Sequence, residues 1–498
     1  MVAETAPAPR TASVVNLGCK VSFADAEAAA RDLAARGLRL VAGGARADLV
    51  VINTCTVTAE ADRKSRQAVR RARRHSPDAD IVVTGCSAHV APEAFAALDA
   101  ALHVVDGRAA GALGTELALL LEPGLDRPLP TLSGVDAAVL PTVDGWQATP
   151  APATGHRLDD DVVGLVGLVD GITDHRAREE RTRAFVKVQD GCSFHCTYCV
   201  IPRARGAERS VPPDAVIADV RRALAAGQRE IVLTGINIGT YDGGASERGP
   251  RGSHRWEALS LAGLIRRILD ETPVERLRLS SIEPQHVSDD LLRTWTDAPE
   301  RCLPHFHLPL QSGDDGVLRR MGRRYDTGFY AGLVGRIRSA IPGVAVHADV
   351  IVGFSGEDEA AWARSSSFIQ GLELAGLHVF RYSERAGTAA VRMAGRVPEP
   401  VRRARAADLL AHASDRRASF AAAQAGRRAM VLFEQQLADG RWIGHAENHV
   451  VVAAAPPAGH PASLENVLAR VDIAGVDERA DRCWGRIVSV VGGSGLAR

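Results

Sequence analysis

Three cysteines lie close together near the middle of the chain, where Cys192, Cys196 and Cys199 form a C-x3-C-x2-C arrangement. They follow an apolar stretch, residues 184–188, that we predict to be a strand, so they lie on the loop at its carboxyl end. Three thiolates on one short loop can hold three irons of a cubane iron–sulfur cluster and leave the fourth iron open to a small molecule. The alternative is a zinc site that recruits His195, but structural zinc takes four ligands, often as two separated pairs. The spacing therefore favours a cluster with one open iron.

Three further cysteines lie in the amino-terminal third, each directly after an apolar stretch that we predict to be a strand. They are Cys19, Cys55 and Cys86, and the intervals of 36 and 31 residues between them each match about one βα unit. The carboxyl ends of parallel strands share one edge of a sheet, so we expect these thiols to converge. Any one of them could be an ordinary buried thiol. Three on successive strands favour a second three-cysteine cluster.

The hydrophobic pattern predicts the elements that position both groups of cysteines. In the amino-terminal part, strands at 13–17, 48–52, 80–84 and 102–105 alternate with helices at 24–36 and 59–75. This alternation is typical of a parallel sheet. Six more strands are predicted at 184–188, 230–234, 277–280, 305–308, 346–351 and 378–380. Six βα units of this length predict an α/β fold with a partial (β/α)6 barrel, in which function gathers at the carboxyl ends of the strands.

The carboxyl-terminal part has a different pattern of predicted elements. A helix predicted at 398–425 precedes short strands at 429–434, 441–445, 450–452, 468–471 and 484–488. Five strands in about seventy residues predict a small β-barrel. Trp442 and His445 could stack on nucleic-acid bases there, although Trp in a small barrel is more often a core residue. Cys302 and Cys483 match no ligand pattern, and we interpret them as ordinary buried thiols.

The central cysteine loop resembles the cluster motif of the radical S-adenosylmethionine enzymes. Together with a second cysteine triad, it resembles the methylthiotransferase family of that superfamily. The matching segments, in the family's order along nearly the whole chain, are 16–21, 53–58, 84–86, 191–206, 233–235, 280–284, 309–313, 349–354 and 380–383. Segments 18–21, 54–58 and 280–284 resemble the branch that acts on N6-threonylcarbamoyladenosine in tRNA. Ser22, where the family usually carries Asn, departs from the pattern.

This resemblance implies cofactors and partners. It implies two [4Fe-4S] clusters: one on Cys192, Cys196 and Cys199 that cleaves S-adenosylmethionine, and one on the amino-terminal cysteines that delivers sulfur. The resulting radical would take a hydrogen from C2 of the adenine, and a second S-adenosylmethionine would supply the methyl group. The implied partners are tRNA, an electron donor such as flavodoxin or ferredoxin, and a sulfur donor.

The resemblance also implies a set of cofactor-binding residues at the barrel's strand ends. Gly235 and Asn237 occupy the place where the superfamily cradles the methionine amino group. The other predicted cofactor-binding residues are Ser281, Glu283, Gln311, Ser312 and Gly353. Arg203, Arg205 and Arg209 could neutralise a carboxylate or phosphate near the cluster, or could be surface charges.

We predict five parts of the chain from these patterns. They are an α/β methylthiotransferase domain with an iron–sulfur cluster at 12–120, a linker at 121–180, the radical S-adenosylmethionine barrel at 181–400, a connector helix at 401–425, and a β-barrel similar to the RNA-binding TRAM domain at 426–492. The Gly- and Arg-rich stretch 242–254 is expected to be an insertion in the barrel.

Composition limits the remaining function classes. The 60 basic and 60 acidic residues give zero formal net charge, so a nucleic-acid partner needs a local basic patch. Residues 62–74 form such a patch, which could contact tRNA phosphates or be a solvated helix face. Eight cysteines in 498 residues do not form a disulfide scaffold. No signal peptide or membrane-spanning stretch is found, so we expect a cytoplasmic protein without a membrane partner.

Several alternatives remain open at this point. The same chemistry could act on isopentenyladenosine in tRNA or on an aspartate of a ribosomal protein. The chain could also be a non-catalytic iron–sulfur sensor that binds RNA, or an RNA-binding module stabilised by zinc. A sensor would bind a cluster without cleaving S-adenosylmethionine, and a zinc module would be colourless.

Overall fold

The structure is a computed structural model that describes residues 10–42, 45–105, 117, 182–245, 258–457, 463–477 and 482–491. The predicted linker at 121–180 lies outside these ranges, as does most of the predicted insertion at 242–254. None of the described helices is long and apolar enough to cross a membrane.

The amino-terminal part is the predicted parallel sheet with helices packed on it, and it contains one short strand, Arg39–Leu40, in addition to the four predicted ones. Its elements are β1 (Thr11–Asn16), α1 (Lys20–Ala35), β2 (Arg39–Leu40), β3 (Leu49–Thr54), α2 (Ala59–His75), β4 (Asp80–Gly85), α3 (Cys86–Val90), α4 (Glu93–Ala96) and β5 (Leu102–Val104). The strand order is β2-β1-β3-β4-β5. Helix α1 begins four residues before the predicted start, because the Cys19 carbonyl already accepts a hydrogen bond from Phe23 N (2.8 Å). Helix α2 has its predicted bounds and is capped by Thr58 Oγ1, which accepts from Ala61 N.

The central part contains six parallel βα units. Its elements are β6 (Arg183–Lys187), β7 (Gln189–Asp190), α5 (Ile201–Arg205), β8 (Arg209–Ser210), α6 (Pro213–Ala225), β9 (Glu230–Thr234), α7 (Leu261–Glu271), β10 (Arg276–Leu279), α8 (Asp289–Asp297), β11 (His305–His307), α9 (Asp315–Met321), α10 (Thr327–Ala340), β12 (Ala345–Val352), α11 (Glu359–Gly371) and β13 (Gly376–Arg381). Strands β6, β9 and β10 form one parallel sheet, and β11, β12 and β13 form another. Isolated parallel bridges, Leu277 with Cys302 and Ser281 with His307, join the two sheets. The result is the predicted partial barrel.

The two faces of these strands differ in character. The outer face packs against the surrounding helices in the largest apolar core of the described residues, with Ile231, Leu233 and Leu277 essentially without exposure. Along β12 the buried side chains alternate with partly exposed ones, among them His347 and Asp349, which face the barrel interior. The interior is therefore polar, while the apolar core lies outside the ring of strands.

Helix α1 covers the side of the barrel next to β6. Phe23 on α1 packs edge-on against Phe185 on β6, with ring centroids 5.3 Å apart. Asp25 on the same helix forms an ion pair with Lys187 at the end of β6. The amino-terminal part thus contributes a wall to the barrel.

The carboxyl-terminal part is the predicted small barrel. Helix α12 (Glu399–Ala422) leads into β14 (Arg428–Gln436), β15 (Trp442–His445), β16 (Val451–Ala455), β17 (Val467–Val476) and β18 (Cys483–Val491), which close in the order β14-β15-β16-β18-β17. Trp442 is buried in its core, so the core interpretation of this residue is the one that the structure supports. The small barrel joins the large one through Arg276, whose guanidinium donates to Met430 O at 3.0 Å.

Candidate active site

The central cysteine loop is folded back on itself immediately after β7. Gly191 adopts φ +70°, and an added Cβ there would lie 2.0 Å from Ala207 O, so only glycine fits this close approach. Cys192 N donates to Gly206 O (3.1 Å), and Thr197 N donates to Met321 O (2.9 Å). The backbone therefore fixes the loop at both ends and in the middle.

The three thiols of this loop are close enough to influence one another. Burial, and then the neighbouring Cys196 and Cys192, raise the pKa of Cys199 to about 12. Burial also raises the pKa of Cys192, while Phe194 N donates to its Sγ at 3.4 Å. Three crowded, partly buried thiols with no disulfide are a donor set that a cationic iron cluster would stabilise as thiolates. The residues therefore fit a cluster.

Arg323 connects this loop to a buried carboxylate. Its Nη1 lies 3.4 Å from Cys196 Sγ, and its Nη2 donates to Glu283. Burial raises the pKa of Glu283, and Arg323 opposes that shift. The predicted cofactor residue Glu283 is thus already paired with a residue of this chain. Sequence reasoning missed Arg323, and no motif around it signals its place.

The amino-terminal cysteines converge as expected from their strand-end positions. Burial raises the pKa of Cys55 to about 12, and the next largest contributions come from Cys19 and Cys86. Cys19 precedes α1, Cys55 follows β3, and Cys86 begins α3 after β4. Ser65 Oγ on α2 accepts from Cys55 N at 3.2 Å and so fixes this loop. These residues also fit a metal cluster, since none of the three thiols forms a disulfide bond.

One buried arginine links the amino-terminal triad to α5, the helix that follows the central cysteine loop. Arg205 on α5 lies with Nε 3.3 Å from Cys86 Sγ, and it forms ion pairs at 3.0 Å with Asp25 and with Asp190. Arg205 is therefore not a surface charge. Arg203 is exposed and donates to Ala386 O, while Arg209 lies 3.9 Å from Asp190.

A second contact between the two parts lies next to Cys55. Arg385, which follows β13, donates to Thr56 Oγ1 at 2.6 Å and forms an ion pair with Asp62. Asp62 also accepts a hydrogen bond from Ser87 Oγ, beside Cys86, at 2.7 Å. The barrel thus holds two of the amino-terminal cysteine loops in place.

The end of β9 lies beside the central cysteines. Gly235 has no room for a side chain, because an added Cβ would lie 2.8 Å from both Gln189 O and Ile238 Cγ2. The Asn237 amide adjoins Cys192 and favours its thiolate form. Thr234 Oγ1 and Ser280 Oγ are buried at these strand ends with no hydrogen-bond partner in the described part of the chain. Unpartnered polar atoms beside a cysteine cluster fit a polar ligand such as S-adenosylmethionine.

The other predicted strand-end residues occupy varied environments. Gln311 adopts φ +70°, which is strained for a residue with a side chain, while its backbone pairs with β12. Ser312 is fully buried, and its Oγ accepts from Asp314 N at 3.3 Å. Gly353 adopts φ +72°, against the side chain of Arg402. Ser281 forms the bridge to His307.

The barrel interior contains a polar group that the sequence interpretation did not identify. Asp349 Oδ1 lies 2.8 Å from His307 Nε2 and 3.1 Å from His378 Nδ1. The ligand atoms of these three residues lie within 4.8 Å of one another, which would suit a metal ion, although the group also satisfies its own hydrogen bonds. The sequence did contain a signal for this group, because polar residues alternate along strands that are otherwise expected to be apolar.

Lys20 extends into this interior from the start of α1. Its ammonium interacts electrostatically with Arg183, Arg278 and Asp349, which lie on three different barrel strands. Burial lowers the pKa of Lys20 to about 8. Burial also lowers the pKa of His347 to about 3, so that this interior histidine is neutral.

Comparison with known proteins gives consistent matches over both cysteine groups. Residues 11–107 match the family described as uncharacterized protein family UPF0004, and residues 186–369 match the radical SAM superfamily. The chain is 34% identical to the threonylcarbamoyladenosine tRNA methylthiotransferase of Bacillus subtilis, over 89% of this chain and 90% of the relative. It is 32% identical to the tRNA-2-methylthio-N(6)-dimethylallyladenosine synthase of Erythrobacter litoralis, over 88% and 89%. Among solved structures, a radical S-adenosylmethionine methyltransferase from Kitasatospora setae aligns with TM-score 0.48 and 16% identity, over 75% of this chain and 72% of that one.

Proposed function

The chain belongs to the tRNA methylthiotransferase family of radical S-adenosylmethionine enzymes, and from this premise we propose that it inserts a methylthio group at C2 of N6-threonylcarbamoyladenosine in tRNA. The observation that carries the proposal is the presence of two cysteine triads, with Arg205, six residues after Cys199, in contact with Cys86. One triad fits a cluster that binds S-adenosylmethionine, as the superfamily requires, and the other fits a second cluster. Sulfur insertion needs both a radical source and a sulfur source, and the contact of Arg205 with Cys86 supports a placement of the two triads close to each other.

Cys192, Cys196 and Cys199 would hold the first [4Fe-4S] cluster, and Cys19, Cys55 and Cys86 the second. When bound, the clusters and S-adenosylmethionine supply the radical, the sulfur and the methyl group. The role of this chain is to place the base and to exclude competing hydrogen donors. Its α1 covers the side of the barrel, and its small carboxyl-terminal barrel, proposed here to bind tRNA, closes against Arg276.

The strand-end residues would hold S-adenosylmethionine. Gly235 lets the end of β9 pack closely against Gln189, and Asn237 adjoins Cys192, so we place both at the methionine end. Glu283, oriented by Arg323, would accept hydrogen bonds from ligand hydroxyl or amino groups. Ser281, Gln311, Ser312 and Gly353 complete the proposed set. An electron donor such as flavodoxin or ferredoxin and a sulfur donor would act on the assembled enzyme.

The nucleoside assignment rests on the 18–21 segment and on the relatives. Relatives at 34% identity act on threonylcarbamoyladenosine by name, and relatives at 32% act on dimethylallyladenosine. A ribosomal-protein aspartate is the third candidate substrate of this chemistry. A non-catalytic sensor is disfavoured, because the family is one of enzymes and both triads are complete.

The decisive experiment counts iron and sulfide after anaerobic reconstitution. We expect about eight irons in the wild type and about four in both C192A/C196A/C199A and C19A/C55A/C86A. 5′-Deoxyadenosine formation should be lost only in the first variant, whereas methylthio product should be lost in both. C302A/C483A, which removes two buried thiols outside the triads, is the matched control and should keep about eight irons.

Two results would contradict the proposal. About four irons in the wild type and none in C192A/C196A/C199A would remove the second cluster. Product formed only on dimethylallyladenosine RNA, or only on ribosomal protein, would keep the chemistry and replace the substrate. Nucleoside analysis of tRNA from a deletion strain tests the same point in the cell.

A further inference from the structure

The barrel interior contains one more cation than the carboxylates available to pair with it. In the described part of the chain, its cations are Lys20, Arg183, Arg276 and Arg278, and its carboxylates are Glu230, Asp349 and Glu434, the last contributed by the small barrel. The interior histidines His305, His347 and His449 have pKa values lowered by burial and add no charge at neutral pH. The interior therefore has one excess positive charge, which a single additional anion would neutralise.

Each of the carboxylates already has close partners. Glu230 accepts from Nε of Arg276 (2.9 Å) and from Nε of Arg278 (2.7 Å). Glu434 pairs with Arg183 at 2.9 Å. Asp349 is bound by the two histidines described above. None of the three carboxylates forms an ion pair with Lys20 within the described residues, although Asp349 favours its charged form electrostatically.

Lys20 is the cation without such a partner. It forms no hydrogen bond or ion pair with any residue that the structure describes, although it is partly buried among Arg183, Arg278 and Asp349. A partly buried ammonium without a partner is costly, because it loses water and gains no compensating bond. Such a group is explained by a ligand that supplies the missing anion.

The position of Lys20 relates it to the sulfur source. It directly follows Cys19, so the Cα atoms of the two residues are about 3.8 Å apart. In adenine, C2 and C6 belong to the same six-membered ring and flank N1, and N6 extends from C6. A base whose C2 faces the cluster on Cys19 therefore has its N6 substituent within reach of a neighbouring long side chain.

The choice of lysine is unusual for this chain. Of its 60 basic residues only three are lysines, Lys20, Lys64 and Lys187, and all others are arginines. An ammonium is a compact point charge with three donors, whereas a guanidinium is a wide planar fork. A compact cation suits an interior in which it pairs with a single carboxylate.

From these observations we infer that Lys20 binds the carboxylate of the threonyl group on N6 of the substrate adenosine, and so selects this nucleoside over one with a hydrocarbon substituent. The inference rests on the proposed function. A dimethylallyl group would leave the ammonium without a counter-ion and would place apolar atoms against it, which is unfavourable. The threonyl carboxylate supplies one negative charge, which matches the surplus.

The test is a double-mutant cycle between the lysine and the carboxylate. An anticodon stem-loop RNA carrying N6-threonylcarbamoyladenosine is compared with its methyl ester, which lacks the charge. Equilibrium binding to wild type and to Lys20→Met holoenzyme is measured by fluorescence anisotropy without S-adenosylmethionine. We expect esterification to weaken binding to wild type by about tenfold or more, and binding to Lys20→Met by less than about twofold. Iron counts verify that both clusters are retained.

Arg31→Met is the matched control, since it removes an exposed cation from the same helix, α1. It should show the wild-type response to esterification. Equal weakening of binding in wild type and Lys20→Met would overturn the inference. A wild-type enzyme that fails to methylthiolate the unesterified stem-loop would overturn the proposed function instead, so the two failures are distinct.

Discussion

Arg205 Nε lies 3.3 Å from Cys86 Sγ, although the two residues are 119 positions apart in the chain. The same guanidinium holds Asp25 and Asp190, so it is buried among one sulfur and two carboxylates. If Cys86 holds the proposed second cluster, this hydrogen bond would tune that cluster and orient its ligand. This contact makes the geometry of one triad dependent on the loop that holds the other.

Replacing Arg205 by Gln should reduce methylthio product formation on the order of 10–100-fold. The two carboxylates lose a cation, and Cys86 loses its donor. Product is measured by mass spectrometry of digested RNA. The spectrum of the amino-terminal cluster is measured in the C192A/C196A/C199A background. Arg203→Gln, on the exposed side of the same helix, should stay within about twofold of wild type. Equal losses in both variants would contradict a special role for Arg205.

Replacing Gly191 by Ala should remove the central cluster. The added methyl would meet Ala207 O at 2.0 Å, in a conformation that favours glycine, so the loop before Cys192 must move. Iron should fall to about four per chain, and 5′-deoxyadenosine formation should be lost. Gly332→Ala, at an exposed position in α10 with no atom near the added methyl, should instead stabilise the protein by about 0.5–1 kcal/mol. Full iron content in Gly191→Ala would refute this argument.

Replacing Glu230 by Gln should destabilise the protein by about 3–5 kcal/mol, because two buried arginines lose their counter-ion. The two arginines hold the pKa of Glu230 below its usual value of 4.5, against the effect of burial. The folded state therefore binds this proton less readily than the unfolded state. Its contribution is present above about pH 4.5 and is lost as the pH falls below that value.

Unfolding of wild type and Glu230→Gln from pH 7 down to about pH 3, below the unfolded-state pKa, checks both statements. The wild type should lose stability more steeply on acidification. Glu300→Gln, an exposed carboxylate, should stay within about 0.5 kcal/mol of wild type at all pH values. Parallel pH profiles of wild type and Glu230→Gln would exclude this account of the barrel interior.

Removing the charges of Arg70, Arg71 and Arg74 should weaken tRNA binding. These exposed side chains on α2 form no ion pair within the described residues. If each contacts a phosphate, the triple Gln variant should lower the slope of log Kd against log salt by about 2–3. The triple Lys variant retains the charge and should keep the slope. An unchanged slope in the Gln variant would leave the patch as a solvated helix face.

The sequence predicted the longer strands and the convergence of the amino-terminal cysteines because their signals are local, whereas the two-residue strands β2, β7 and β8 contain no apolar run and were not predicted. Apolar runs mark the strands, and each cysteine of the amino-terminal triad follows such a run, so parallel pairing alone brings the thiols together. The start of α1 was placed four residues late, since Cys19 gives no recognisable capping signal although its carbonyl begins the helix.

The polar barrel interior could not be predicted in the same way. Alternating polar residues such as Arg276 and Arg278 look identical to the solvent face of a strand. Only closure of the barrel by α1 and the small barrel makes this face internal. The contacts of Arg205 and Arg323 depend on the same closure, because each meets partners from distant parts of the chain.

The order of synthesis determines when the barrel interior becomes enclosed. Helix α1, which covers one side of the interior, leaves the ribosome first, and the barrel strands follow. The small barrel, which closes the interior with Glu434 and His449, leaves last. The rings of His449 and His305 have centroids 4.9 Å apart, so the small barrel contacts strand β11 directly. Domains made first fold first. A nascent chain thus contains its amino-terminal cysteines long before the barrel interior is closed, and the enclosed interior exists only after the small barrel has been synthesised.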